Sequence, residues 1–294
     1  MDSAFLHRGQ LATACAAWRT IALSGLAPRR RLILADKRAD WKQALAALGR
    51  FAASPGYQAP DQLQAHAALA NLWQWQEAGQ QACRLLIYGI DLGLPGDVLR
   101  PIYLETVALW QDAAAVAGHA RASMAAETGE QYGEPYGVAP VLATRGSGYP
   151  FAVILLALAS LLAAQDEVPA IVQQVLEFDT DRLLDYLSAG AIELHSVNET
   201  LFHRRPHGAL LPFFEQLDVA LPDPLVPYLQ AQYTDFHRLP PQRQKKGGPW
   251  LGTYYWALEV AALSVLYGWD DAALRASPHY PADLVDFARA APAG

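Results

Sequence analysis

Cysteine, methionine and charge are all scarce in this chain: two Cys, two Met and 17% charged residues among 294. Cys15 and Cys83 lie far apart and form no CxxC or Cys/His spacing. That excludes a disulfide framework and a zinc finger, and it points to a reducing cytoplasm. Long hydrophobic runs are missing too. The longest, Tyr149 to Ala164, falls short of the roughly 18 to 20 residues a membrane helix needs, so it reads as a buried core helix. The apolar patch Leu11 to Trp18 follows His7, Arg8 and Gln10 and leads to no cleavage site, so a signal peptide is not expected. Catalytic signatures are absent as well: there is no GxSxG, no phosphate loop, no GxGxxG and no HExxH, and Arg145-Gly-Ser-Gly follows no strand.

What is present is apolar and aromatic. Hydrophobic residues make up 52% of the chain, with 8 Trp and 13 Tyr, enough for one large or two ordinary cores. Apolar spacings of three and four recur almost throughout and alternating patterns are rare, which predicts an all-α protein of stacked, irregular helical hairpins in two subdomains. No period of 20 to 50 residues supports a regular solenoid. Predicted helices cover about 10–23, 41–53, 61–92 with a break near Gly79, and 97–128. Between 129 and 150 fall Gly129, Gly133, Pro135, Gly137, Pro140, Gly146, Gly148 and Pro150, too many breakers for a helix. The expected division is therefore an N-terminal helical domain over 1–130, a connector over 131–150 and a C-terminal helical domain over 151–294. Further helices are predicted over 151–164, 169–178, 180–191, 210–217, 224–237 and 252–267, with Asp179 or Thr180 capping the one from 180 and Asp181 in its first turn.

Charge is unevenly spread. Residues 1–50 hold nine Lys/Arg against three Asp/Glu, including Arg29-Arg30-Arg31, whereas the remainder holds 13 against 26. From Asp166 to Asp235 twelve acidic residues face only Arg182, Arg204 and Arg205. An acidic body disfavours contact with nucleic-acid phosphates and favours a basic protein partner. Glu177, Asp179, Asp181, Asp185, Glu193 and Glu199 are the candidate contacts. A solvated, capped face explains the same residues without a partner.

Three constellations could carry chemistry. Glu259 falls on a stripe with Tyr255, Ala262 and Leu266, so a carboxylate sits among apolar neighbours and needs a donor or a proton. A structural network with Tyr or Arg is the preferred reading over catalysis. His203 and His207 are four apart near His195, but Pro206 breaks the helix a zinc pair would need, leaving polar surface histidines. Asp270-Asp271 and Asp179, Asp181 and Asp185 lack the second carboxylate cluster of a magnesium-diphosphate clamp. No metal site or cofactor is expected. Gly268 suits a left-handed helix end, Asp270 a cap, and Pro281 with Asp283 the first turn of a last helix.

From Tyr149 onward the chain resembles the C-terminal domain of the PoNi immunity proteins, which neutralise PoNe-type DNase toxins of type VI secretion and other polymorphic-toxin systems. The resemblance is carried by Asp181, Leu183, Leu184 and Asp185, then by Tyr255, Trp256, Glu259, Ala261, Ala262, Gly268, Asp270, Asp271, Tyr280, Pro281, Asp283 and Leu284. Tyr88-Gly89 and Tyr103-Leu104-Glu105 are more weakly similar to the family's N-terminal domain. The resemblance implies an all-α, cytoplasmic, non-enzymatic protein that binds a cognate nuclease toxin and blocks its active site or DNA groove. Tyr255, Trp256, Glu259, Gly268, Asp271, Tyr280, Pro281 and Asp283 then read as the structural motif. Two other readings stand beside it: a helical adaptor that holds a secreted effector without inhibiting it, and a metal-dependent enzyme using Glu259 or the histidines.

Overall fold

A computed structural model describes residues 8–24, 26, 34–54, 65–128, 140–192, 196–214, 225–235 and 255–291. All regular structure among these residues is helical, as the three- and four-residue spacing predicts. None of their helices is long and apolar enough to cross a membrane. The chain divides into two compact units, Met1–Ala143 with Ala170–Phe178, and Thr144–Pro169 with Asp179–Gly294. Glu193, His195 and residues 131–139 of the connector expected over 131–150 lie outside the described residues.

The first unit contains α1 (Arg8–Arg19), α2 (Leu34–Ala52), α3 (Ala65–Leu92) and α4 (Gly96–Thr128). Trp41, Leu45 and Leu48 on α2, Leu72, Trp75, Leu86 and Ile90 on α3, and Tyr103, Trp110 and Val116 on α4 are all buried. At roughly 1.5–3 kcal/mol per large apolar side chain, this burial is what assembles the unit. The break expected near Gly79 does not occur: α3 runs through it. A Cβ at Gly79 would come within 2.6–2.8 Å of three Trp110 ring atoms. Glycine is there to let two helices approach, at the cost of a small loss in helix propensity. Segment 170–178 also belongs to this unit, which corrects its expected place in the C-terminal domain. Its π-helical turn Ile171–Val175 buries Ile171, Val172 and Val175 and packs on α4.

The second unit is built around α5 (Tyr149–Leu161), every residue of which is buried. The longest apolar run is thus a core helix, surrounded by α6 (Arg182–Ser188), α7 (Leu258–Leu266) and α8 (Ala282–Ala290). The cap of α6 is Asp181 rather than Asp179 or Thr180: its Oδ1 accepts from Leu184 N at 3.0 Å. The helix α7 begins at Leu258, so Tyr255 precedes it and does not share a helical stripe with Glu259.

Candidate functional site

The motif residues of the second unit form two buried polar clusters. The first closes α7 onto α8. Gly268 takes φ +63°, and Gly268 N and Trp269 N donate to Val265 O and Ser264 O, a Schellman ending that turns the chain sharply. That turn delivers Asp271, only 3% exposed, to Arg275 Nε (3.1 Å), Arg289 Nη1 (2.9 Å) and Tyr280 OH (2.9 Å). Arg289 Nη2 also donates to Trp269 O at 2.7 Å, so α8 is tied directly to the carbonyls freed by the turn. Burial pushes the Asp271 carboxyl up, but its three donors outweigh that and hold it below the usual range. Asp270 caps the short turn that follows, accepting from Ala272 N at 3.0 Å. Pro281 stands at the cap of α8, and Asp283 sits exposed in the first turn, where the helix dipole favours a negative charge.

The second cluster surrounds Glu259, 2% exposed in the first turn of α7. The helix Leu225–Leu229 continues as a π-helical turn, Gln230–Asp235, whose wider winding brings Tyr228 and Tyr233, five residues apart, to one side. Tyr228 OH donates to Glu259 Oε1 at 2.9 Å and Tyr233 OH donates to the same oxygen. Tyr228 OH lies 3.3 Å from His207 Nδ1. A phenol has one proton, and this one goes to the carboxylate, so His207 donates Nδ1–H to Tyr228 and is the neutral Nδ1 tautomer. Burial, then the neighbouring His203, push His207 down to about 3, which keeps it neutral. Burial raises Glu259, with the two tyrosine hydroxyls opposing the rise. A cavity of about 30 Å³ beside Glu259, His207, Tyr233 and Tyr149 has room for about one water, far less than a substrate.

Tyr149 connects this cluster to α6. Its hydroxyl donates to Asp181 Oδ1 at 3.2 Å, and its ring lies 4.3 Å from that of His203, whose Nε2–H donates to Thr144 O at 3.0 Å. Farther along, the Tyr255 ring lies 4.3 Å from that of His279, tilted by 50°, and His279 Nδ1–H donates to Tyr255 O at 2.8 Å. Trp256, 3% exposed, packs edge-on against Tyr255. The expectation of surface histidines is therefore corrected for His207, which is buried and hydrogen-bonded. Among the described residues no three His, Cys, Asp or Glu side chains are placed to hold a metal ion.

The six acidic contact candidates fare unequally. Asp181 and Asp185 are fully buried, which corrects their place on a partner-facing surface. Asp181 Oδ2 accepts from Phe202 N at 2.9 Å, while Asp185 Oδ2 accepts from Asn198 N (2.6 Å) and Asn198 Nδ2 (2.7 Å). Together they fasten the loop after residue 195 to α6. Like charges one turn apart are tolerated because each carboxylate has its own inward donors. Glu177 is half-buried and pairs with Arg121 at 2.5 Å. Asp179 is bonded by Thr144 Oγ1 at 2.5 Å and by Arg145 Nε at 3.3 Å. Glu199 is exposed.

Sequence reasoning reached Glu259 but not its partners. Tyr228 and Tyr233 have the wrong spacing for one α-helical face, and only the π turn aligns them.

Two family models match the chain, one in each unit. Residues 6–128 match the family described as PA2201 N-terminal domain-like, and residues 179–284 match PoNe immunity proteins (PoNi), C-terminal. The crystal structure of protein PA2201 from Pseudomonas aeruginosa is similar over 96% of this chain and 97% of its own, with 51% identity and a TM-score of 0.88. The comparison with curated proteins gave no match.

Proposed function

This chain belongs to the family of protein PA2201 and carries a PoNi C-terminal domain in its second unit, and on that footing we propose that it is an immunity protein. It acts by binding: a PoNe-type nuclease toxin is held with its active site or DNA groove covered, in the cytoplasm of the cell that must survive it. The match over 179–284 is the observation that carries this reading. The geometry of the same domain supports a non-enzymatic role. Glu259, Asp271 and Asp181 have the buried, perturbed character often seen in catalysis, yet each is spent on donors from its own chain. Their work is to hold helices in place.

Charge supports a basic partner. The net charge of −7 favours encounter with a nuclease surface built to receive nucleic acid. Exposed or half-exposed carboxylates, Glu177, Asp179 and Glu199, contribute to that attraction. The test is direct: the purified protein is mixed with the nuclease encoded beside its gene, and binding and DNA cleavage are measured. Stoichiometric inhibition is expected. A complex that leaves cleavage undiminished points instead to an adaptor, and absence of binding removes the reading.

A further inference from the structure

The first unit carries an open groove of about 940 Å³ between α2 and α3. The two helices run antiparallel: Phe51 at the end of α2 meets Trp75 near the start of α3, while Lys37 near the start of α2 lies over the ring of Tyr88 near the end of α3. On α3, Trp73, Glu77, Gln81, Arg84 and Tyr88 recur at four, four, three and four residues, which puts them on one stripe along the groove. The floor is alanine-rich, with Ala44, Ala47, Ala70 and Ala78. Small residues between two helices leave a trough in which a third helix can seat.

One residue of this stripe is out of place on a protein with a sparse surface charge. Trp73 is 72% exposed, in a chain where Trp41, Trp75 and Trp110 are almost wholly buried. Leaving an indole in water forfeits the stabilisation its burial would bring, and interfaces are where exposed Trp, Tyr and Arg concentrate as anchors. Glu77, one turn on, has a side chain 59% exposed and accepts from Gln81 Nε2 (2.6 Å) and Arg84 Nη1 (3.3 Å), both at Oε1. A carboxylate has about four acceptor sites, so Glu77 retains capacity for a further donor.

We infer that this groove docks a helical segment of the toxin, with an arginine of that segment stacked on Trp73 and bonded to Glu77. A planar guanidinium is the group that satisfies both neighbours at once, since its face stacks on an indole and its edge donates to a carboxylate. Arg50, exposed at the Trp73 end of the groove, fits a carboxylate one or two turns away on the same segment. The inference rests on the immunity reading and adds to it where the contact is made: long-range charge brings the partner, and the groove of the first unit holds it.

The experiment compares wild type, Trp73→Ala and Glu77→Lys by calorimetric titration with the nuclease encoded beside the gene, and records each variant's melting temperature. Both side chains are solvent-exposed, so folding is expected to be unaffected. Trp73→Ala is expected to weaken binding on the order of thirty-fold, and Glu77→Lys on the order of tenfold or more. Wild-type binding with both variants within about threefold of it overturns the groove and leaves the immunity reading intact. Failure of wild type to bind or inhibit removes that reading and the groove with it. A dimer seen in sedimentation that Trp73→Ala dissociates, with nuclease affinity intact, makes a second copy the occupant and overturns the inference.

Discussion

Tyr228 donates its hydroxyl proton to Glu259 across 2.9 Å, and that bond fixes the direction of the bonds around it. Having given its proton to the carboxylate, Tyr228 can only accept from His207. Tyr233 donates to the same Oε1 and accepts nothing among the hydrogen bonds described above. The two tyrosines are therefore unequal. Removing the Tyr233 hydroxyl deletes one bond to a carboxylate, about 1.5–3 kcal/mol. Removing the Tyr228 hydroxyl deletes a similar bond and also leaves His207 Nδ1–H buried without an acceptor, for about 1–3 kcal/mol more. Urea unfolding of Tyr228→Phe and Tyr233→Phe should show the first to be the less stable. Equal midpoints would mean that the chain of donors does not run from His207 to Glu259.

His207 should also set how the second unit responds to acid. Its folded value is depressed to about 3, against 6.5 for a free histidine, because the ring is buried. Between those values the unfolded chain binds a proton that the folded chain refuses, so stability rises with pH across the window and is lost on acidification. Glu259 and Asp181, raised by burial, act in the opposite direction from the ordinary carboxylate range upward, and so oppose His207 within the same window. Tyr149, Tyr228 and Tyr233 stay protonated throughout, since burial raises all three. Lowering the pH from 6.5 to 5 should cost about 2 kcal/mol through this one ring. In His207→Asn, whose amide nitrogen takes the place of Nδ1 and can still donate to Tyr228, that part of the pH dependence should vanish. A slope unchanged by the substitution would assign the acid sensitivity to another group.

Gly79→Ala tests the packing of the first unit with an inverted sign. In the middle of a helix this exchange ordinarily adds about 0.5–1 kcal/mol of stability. Here the new Cβ would lie 2.6–2.8 Å from three atoms of the Trp110 ring. Trp110 is fully buried and its Nε1 donates to Cys83 Sγ at 3.4 Å, so the indole has little freedom to retreat. Overpacking of this kind costs about 1–3 kcal/mol, which exceeds the propensity gain. Thermal melts should place Gly79→Ala below wild type. A higher melting temperature would show that α3 and α4 separate easily.

These residues also show which features of the fold are written locally in the sequence. The helical class followed from apolar spacing, and α5 followed from a run too short for a membrane and too apolar for a surface. Gly268, Asp270 and Pro281 were legible because caps and stops obey local rules that need no tertiary partner. Glu259 was legible as an anomaly, a carboxylate among apolar neighbours. Its partners were not, because Tyr228 and Tyr233 meet it through a π-helical turn that no three- or four-residue pattern announces. Gly79 misled for a related reason: its role lies in Trp110, some thirty residues away in the chain, and a local reading sees only a helix breaker. The same blindness put Asp181 and Asp185 on the surface. A carboxylate at a helix start looks identical in sequence whether its other lone pairs face water or, as here, Phe202 N and Asn198.

That last distinction can be measured by contrasting Asp185 with Glu199. Asp185 is wholly buried and accepts from both the backbone and the side-chain nitrogen of Asn198. Asp185→Lys would place an ammonium where two donors already point, leaving a buried charge and its former partners unsatisfied. A loss of about 3–5 kcal/mol and a large fall in melting temperature are expected, with any loss of toxin binding following from unfolding. Glu199 is exposed, so Glu199→Lys should melt with wild type. If the acidic surface steers a basic nuclease, the same substitution should lower the association rate at low salt and flatten its dependence on ionic strength, while changing dissociation little. Stopped-flow mixing alongside melts separates the two roles. A stable Asp185→Lys protein that associates slowly would return Asp185 to the contact surface, whereas unchanged kinetics in Glu199→Lys would remove that carboxylate from the steering field.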